Sequence, residues 1–186
     1  MPLPPPEERP LQAIGARRQV PGRPAISEIV SMLRELNRES ESLVALFDAR
    51  SIAGERHLLS AWAHLGRARA RGEVRLRDRG AELALYVAGD DQLPRALAKV
   101  GATEETEQFV LVAERPRDPA ELLPRFGLER DASAYPRPPD AETLDRLGIG
   151  TSERRAVPQS AWEGLVLERV ALLDLTVPAG RSRSKS

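Results

Sequence analysis

The side chains whose spacing could do chemistry in this chain are two histidines, a serine between them and a dense run of arginines. His57 and His64 stand seven residues apart, two helical turns, whereas helical metal ligands converge when three or four residues separate them. Ser60 lies between them, but no G-x-S-x-G turn presents it, and Glu55 is the one nearby carboxylate that could orient a histidine. The acidic pairs Asp90-Asp91 and Glu104-Glu105 would serve general acid–base chemistry if they converged, yet adjacent side chains point apart and stay solvated. Gly148-Ile149-Gly150 lacks the third glycine and the preceding strand of a dinucleotide loop, and neither of the two lysines, Lys99 and Lys185, stands in a P-loop. The expectation is a chain with no catalytic residue, no metal and no cofactor.

The positive signal is an arginine belt. Arg67, Arg69, Arg71, Arg75, Arg77 and Arg79 fall within thirteen residues whose acids are Glu73 and Asp78, a local excess of four positive charges. Guanidinium is permanently charged and forks onto carboxylate or phosphate. Arg67 and Arg71, four apart, extend the helical row His57, Ser60, His64, and such a row can follow a phosphate backbone. The belt admits a second reading, a solvated helix end whose arginines complement the macrodipole. Aromatics make up only 4% of the chain, so a single-stranded RNA end would be held by an apolar pocket rather than a long stacking platform. The candidate RNA contacts are His57, Ser60, His64, Arg67, Arg71, Arg75 and Arg77.

The elements that must position these residues belong to a single domain. The chain has 186 residues, 28 basic and 28 acidic side chains, 16 prolines and 13 glycines. A formal net charge of zero argues against a globally basic nucleic-acid binder but leaves room for local patches. With no cysteine there is no disulfide framework and no thiolate site, which favours a reducing compartment. No run approaches the roughly 20 apolar residues of a bilayer span, and MPLPPPEERP lacks the order of a signal peptide, so a cytoplasmic protein is expected. Residues 1–10 are read as a disordered proline-rich start, 11–178 as one domain and 179–186 as a basic disordered tail.

Weak alternation in Leu11 to Arg17 suits a strand, and Ile26, Ile29, Val30, Leu33 and Leu36 make an apolar helical stripe between Ala25 and Arg38. The run Leu43 to Phe47 reads as a buried strand and Gly54 to Arg71 as a helix. Asp78 to Ala88 fits either type, because Tyr86 and Val87 favour strand while Gly80, Leu83 and Ala84 allow helical packing. Gln92 to Val100 has proline early and glycine late, as a short helix should. Gln108 to Ala113 is a third strand, and Asp118-Pro119 opens a helix that Gly127 ends. Asp131 to Asp140 is a surface connection, Ala141 to Leu147 a short helix, and Ser160 to Leu175 a helix apolar nearly all round and therefore expected to be substantially buried. These elements make an α+β fold, a two-layer sandwich in which helices cover one face of a small three- or four-stranded sheet.

Three blocks carry a family resemblance. Phe47-Asp48-Ala49-Arg50-Ser51-Ile52-Ala53-Gly54-Glu55-Arg56-His57-Leu58-Leu59-Ser60-Ala61, then Glu82 to Leu93, then Ala96-Leu97-Ala98-Lys99-Val100-Gly101, resemble in order the kinase-binding, tRNA-tail-binding small subunit family of the KEOPS complex. The likeness spans roughly Leu11 to Leu175, is strongest from Leu43 to Ala113, and includes Val166 to Leu173 as the family's closing helix. It implies that Asp78 to Ala88 is helical. It also implies a non-catalytic role in threonylcarbamoyladenosine modification of tRNA, with the complex's small atypical kinase/ATPase subunit and the tRNA 3′ CCA end as partners. On this basis Arg67 and Arg71, with Arg75 and Arg77, would neutralise tail phosphates, while the His57 end of the helix and a nearby apolar cleft would take the terminal base. Kinase contact is expected through helices near the C-terminus. The rival from another class is a protein-binding kinase regulator that never touches RNA.

Overall fold

The computed structural model describes residues 10–39 and 42–176; the basic tail and all but Pro10 of the proline-rich start lie outside them. Strands β1 (Leu11–Arg18), β2 (Val44–Asp48), β3 (Gln108–Glu114) and β4 (Leu128–Arg130) form one antiparallel sheet in the order β2-β3-β1-β4. Around it lie α1 (Ile26–Glu39), α2 (Glu55–Ala70), α3 (Arg79–Ala88), α4 (Leu93–Val100), α5 (Pro119–Leu122), α6 (Ala141–Arg146), α7 (Thr151–Arg155) and α8 (Trp162–Leu173). The fold is α+β, a sheet covered by helices.

The continuous apolar runs of β2 and β3 explain the layering, because a strand without alternation must be buried on both faces. Val110 and Val112, with Ala45 and Phe47, pack against Leu58 and Leu65 of α2, Leu83 and Val87 of α3, and Val166 and Val170 of α8. Phe109 and Leu111, with Val44, pack instead against Ile29, Leu33 and Leu36 of α1 and against Phe126. The helices therefore do not all lie on one face: α1 and the segment after β3 take the second. The stripe on α1 is what lets it do so, with four side chains buried and the arginines turned outward.

Several elements were left open by the sequence or differ from its expectation, for local reasons. Asp78 to Ala88 resolves as a helix. Asp78 caps α3 by accepting from the Ala81 backbone N–H, Gly89 ends it in the left-handed conformation, and every residue from Glu82 to Ala88 is buried, so no solvent face left a helical period in the sequence. The helix opened at Asp118 is short. Pro124 lacks the N–H to continue it, and the chain tightens into a 3₁₀ turn, Leu123–Phe126. The fourth strand, β4, has only three residues, below what a pattern can register. The closing helix is a correction. In α8 only Val166, Val170 and Leu173 are buried, while Leu172 is 50% exposed and Leu175 just beyond it 79%. Its all-round apolarity marks a helix with one face left open. Among the described residues no helix is long and apolar enough to cross a membrane.

Candidate nucleic-acid interface

The motif residues first build a scaffold. Asp48, fully buried at the end of β2, accepts hydrogen bonds from the Arg50 backbone N–H (2.9 Å), Arg50 Nη2 (2.7 Å), Arg146 Nη2 (3.0 Å) and Thr106 Oγ1 (3.1 Å). Burial alone would push this carboxyl up, but the Arg50 bonds and the charges of Arg146 and Arg50 outweigh it and hold Asp48 below the usual carboxylate range. Ser51 Oγ donates to the Lys99 carbonyl (2.6 Å) and accepts from Arg146 Nε (2.9 Å), which ties the first sequence block to the third. Gly54 then turns at φ 100°, a conformation that side-chain-bearing residues avoid, and α2 begins.

His57 joins the first block to the second. Its Nδ1 accepts from the Ala53 backbone N–H (3.1 Å), so the proton sits on Nε2, which donates to the Val87 carbonyl (2.9 Å). The ring is wholly buried, and that burial drives its pKa down from 6.5 to about 4 against the opposing pull of the Val87 bond. His57 is thus a neutral strut. It has no surface to offer RNA, and the expectation that it contacts the tail is withdrawn.

The arginine belt does not form one row either. Ser60 is half-buried on α2, and His64 is drawn inward to Asp174 (Nδ1 to Oδ2, 2.6 Å) at the end of α8. Arg67 is exposed in the last turn of α2, and Arg71 pairs with Glu73 (2.6 Å). Beyond the helix, buried Glu82 of α3 accepts from the backbone N–H groups of Arg75 (3.1 Å) and Leu76 (2.6 Å), folding the loop back on α3. That fold turns Arg75 inward, where Nη2 donates to the Leu173 carbonyl (3.2 Å), and sends Arg79 to buried Glu114 (2.8 Å). Arg77 faces outward from the same loop.

Arg77 meets two arginines that sequence reasoning did not single out. A cavity of about 620 Å³ opens between α1 and the α2–α3 loop, and Arg34, Arg38, Arg77 and Arg79 line it, with Asp78 as the one acidic lining residue among the described residues. Among the described residues Arg34, Arg38 and Arg77 form no ion pair. The available signal was the four-residue spacing of Arg34 and Arg38 on the polar side of the α1 stripe, which puts both on one exposed face.

The cavity runs into an apolar groove of about 270 Å³; both share Arg34, Asn37 and Asp78 as lining. Leu33 of α1, Leu46 of β2, Ala84 of α3 and Leu97 of α4 wall the groove along the outer side of β2, one of the two edge strands of the sheet. That edge is already occupied at both ends. The Asn37 side chain donates to the Val44 carbonyl and accepts from its N–H, both at 2.8 Å, and Phe47 bridges to Gly101. The groove therefore cannot add a peptide strand of useful length, whereas a small planar apolar group beside the arginines fits its chemistry. Among the described residues no cluster of three or more His, Asp or Glu could hold a metal ion. No family model and no curated protein sequence matches the chain.

Proposed function

We propose that this chain is a non-catalytic subunit of a KEOPS-type complex, holding the 3′ CCA end of tRNA and docking the complex's atypical kinase while partner subunits make threonylcarbamoyladenosine. The observation that carries the reading is the arginine-lined cavity opening into an apolar groove. A single-stranded RNA end offers two things, phosphates and an unstacked terminal base. Arg34, Arg38 and Arg77 supply forked donors for the phosphates, and the groove along β2 supplies an apolar slot for the base. Arg67, exposed at the end of α2, offers a further backbone contact, whereas Arg71 must first leave Glu73. The three motif blocks support the reading as scaffold: Ser51 bound to the Lys99 carbonyl and His57 bound to the Val87 carbonyl hold the wall of the groove in place. The role is a cytoplasmic one.

Filter-binding titration of tRNA with and without its CCA end tests this reading. Intact tRNA should bind more tightly, and replacing Arg34 and Arg77 with alanine should remove that advantage. The slope of log affinity against log salt should flatten by about 0.7 for each single-strand phosphate that the variant no longer neutralises. Equal affinity for both tRNAs, or an unchanged slope in the variant, refutes it.

One observation favours a second reading, a kinase regulator that never touches RNA. Leu172 and Leu175 at the end of α8, and Leu59 on α2, are large apolar side chains left 46–79% exposed, as protein interfaces require. The same titration separates the two, because this reading expects no dependence on the CCA end.

A further inference from the structure

The charge in the cavity is concentrated where a single RNA phosphodiester would be outnumbered. Three guanidinium groups, Arg34, Arg38 and Arg77, share one space of about 620 Å³ and form no ion pair among the described residues. Among the described residues the one acidic side chain in the lining, Asp78, is engaged as the cap of α3, with Oδ1 accepting from the Ala81 backbone N–H at 3.0 Å. Phosphates along an RNA strand carry one charge each and are separated by a whole nucleotide. A di- or triphosphate carries several charges on adjoining groups. The cavity volume also falls within the roughly 300–1,000 Å³ usual for small-molecule sites.

We infer that the arginine cavity and the groove beside it also bind a free nucleoside di- or triphosphate, phosphates among Arg34, Arg38 and Arg77 and base in the groove, in competition with the RNA tail. This rests on the assignment of the same site to RNA. Recognition would be through side chains: the sequence has no P-loop whose backbone N–H groups would cradle the phosphates, and the inference is of binding alone. Asn37 is a positioning residue here, since its hydrogen bonds to Val44 keep the β2 edge closed between cavity and groove. The consequence is regulatory: capture of the tail would weaken as free nucleotide rises.

Equilibrium dialysis of radiolabelled ATP against the full chain, without the kinase, reads the site directly. Saturable retention is expected, weakened about tenfold or more by Arg34→Ala with Arg77→Ala and unchanged by Arg67→Ala. All three side chains lie at the surface, and circular dichroism melting checks that each variant folds. In a second arm, ATP should displace labelled CCA-ended tRNA, and inorganic triphosphate should do so more weakly because it leaves the groove empty. No retention of ATP, or retention equal in the double variant, overturns the inference. Tail binding that persists at saturating ATP also overturns it while leaving the RNA reading intact. Retention of ATP by a chain that binds no tRNA would instead sink the RNA reading and keep the nucleotide site.

Discussion

Acidification should destabilise this protein through one buried histidine. In the folded chain His57 accepts from Ala53 and donates to Val87, and burial holds its pKa near 4, against 6.5 for an ordinary histidine. Protonating Nδ1 would set a proton against the Ala53 N–H and place a charge in the core. An unfolded chain takes up that proton as pH falls through 6.5, while the folded chain resists until about 4, so the unfolded state binds more protons over that interval. The contribution is complete above pH 6.5, falls by about 1.4 kcal/mol per pH unit below it, and is gone near pH 4, a total of about 3 kcal/mol. Asp48 and Asp90, held below the usual carboxylate range with arginine partners offsetting their burial, lose their contributions only below their ordinary value of 3.8. Urea unfolding followed by Trp62 and Trp162 fluorescence, stepped from neutral pH to about 4, measures the effect. Wild type should lose about 3 kcal/mol more than His57→Gln across that range. Parallel losses in the two proteins would refute the reasoning. Because the ring has no surface, His57→Gln should also bind tRNA like wild type wherever both are folded.

The remaining predictions concern the scaffold and the open helix face. Asp48→Asn leaves Arg50 and Arg146 facing a neutral amide; since both guanidiniums keep some exposure, the cost should be about 3 kcal/mol, the lower end for breaking a buried pair. A loss below about 1 kcal/mol in urea unfolding would mean that solvent screens the network as it does a surface pair. Gly15→Ala sets a methyl group against the Asp131 carbonyl and 2.8 Å from the Tyr135 backbone nitrogen, so β1 or the 131–135 segment must shift. A destabilisation of about 1–3 kcal/mol follows, a fall of roughly 2–12 °C in Tm by calorimetry, and an unchanged Tm would show that the close approach yields freely. Replacing exposed Leu172 and Leu175 with glutamate should abolish co-purification with the kinase while stability changes by no more than about 0.5 kcal/mol. Retained co-purification would move the docking surface off α8.

Much of the architecture was legible along the chain, because an element with one wet side writes its period into the sequence. The α1 stripe, the unbroken runs of β2 and β3 and the proline-early, glycine-late α4 all read from neighbours in sequence. In a helix buried on every side the periodic signal fails. The α3 segment looked ambiguous because every residue from Glu82 onward is packed, and α8 looked buried because composition does not say which apolar face finds a partner.

The site was legible only in part. Sequence alone established the local excess of arginine from 67 to 79. Only the tertiary structure decided where that charge goes. Glu82 pulls the loop back and turns Arg75 toward the end of α8, Glu114 takes Arg79, and Arg77 is left to face Arg34 and Arg38, which come from a helix far earlier in the chain. Periodicity reports which side of an element meets water. Which charges share a cavity depends on how separate elements pack, and on the buried carboxylates that claim some arginines and leave the others to solvent.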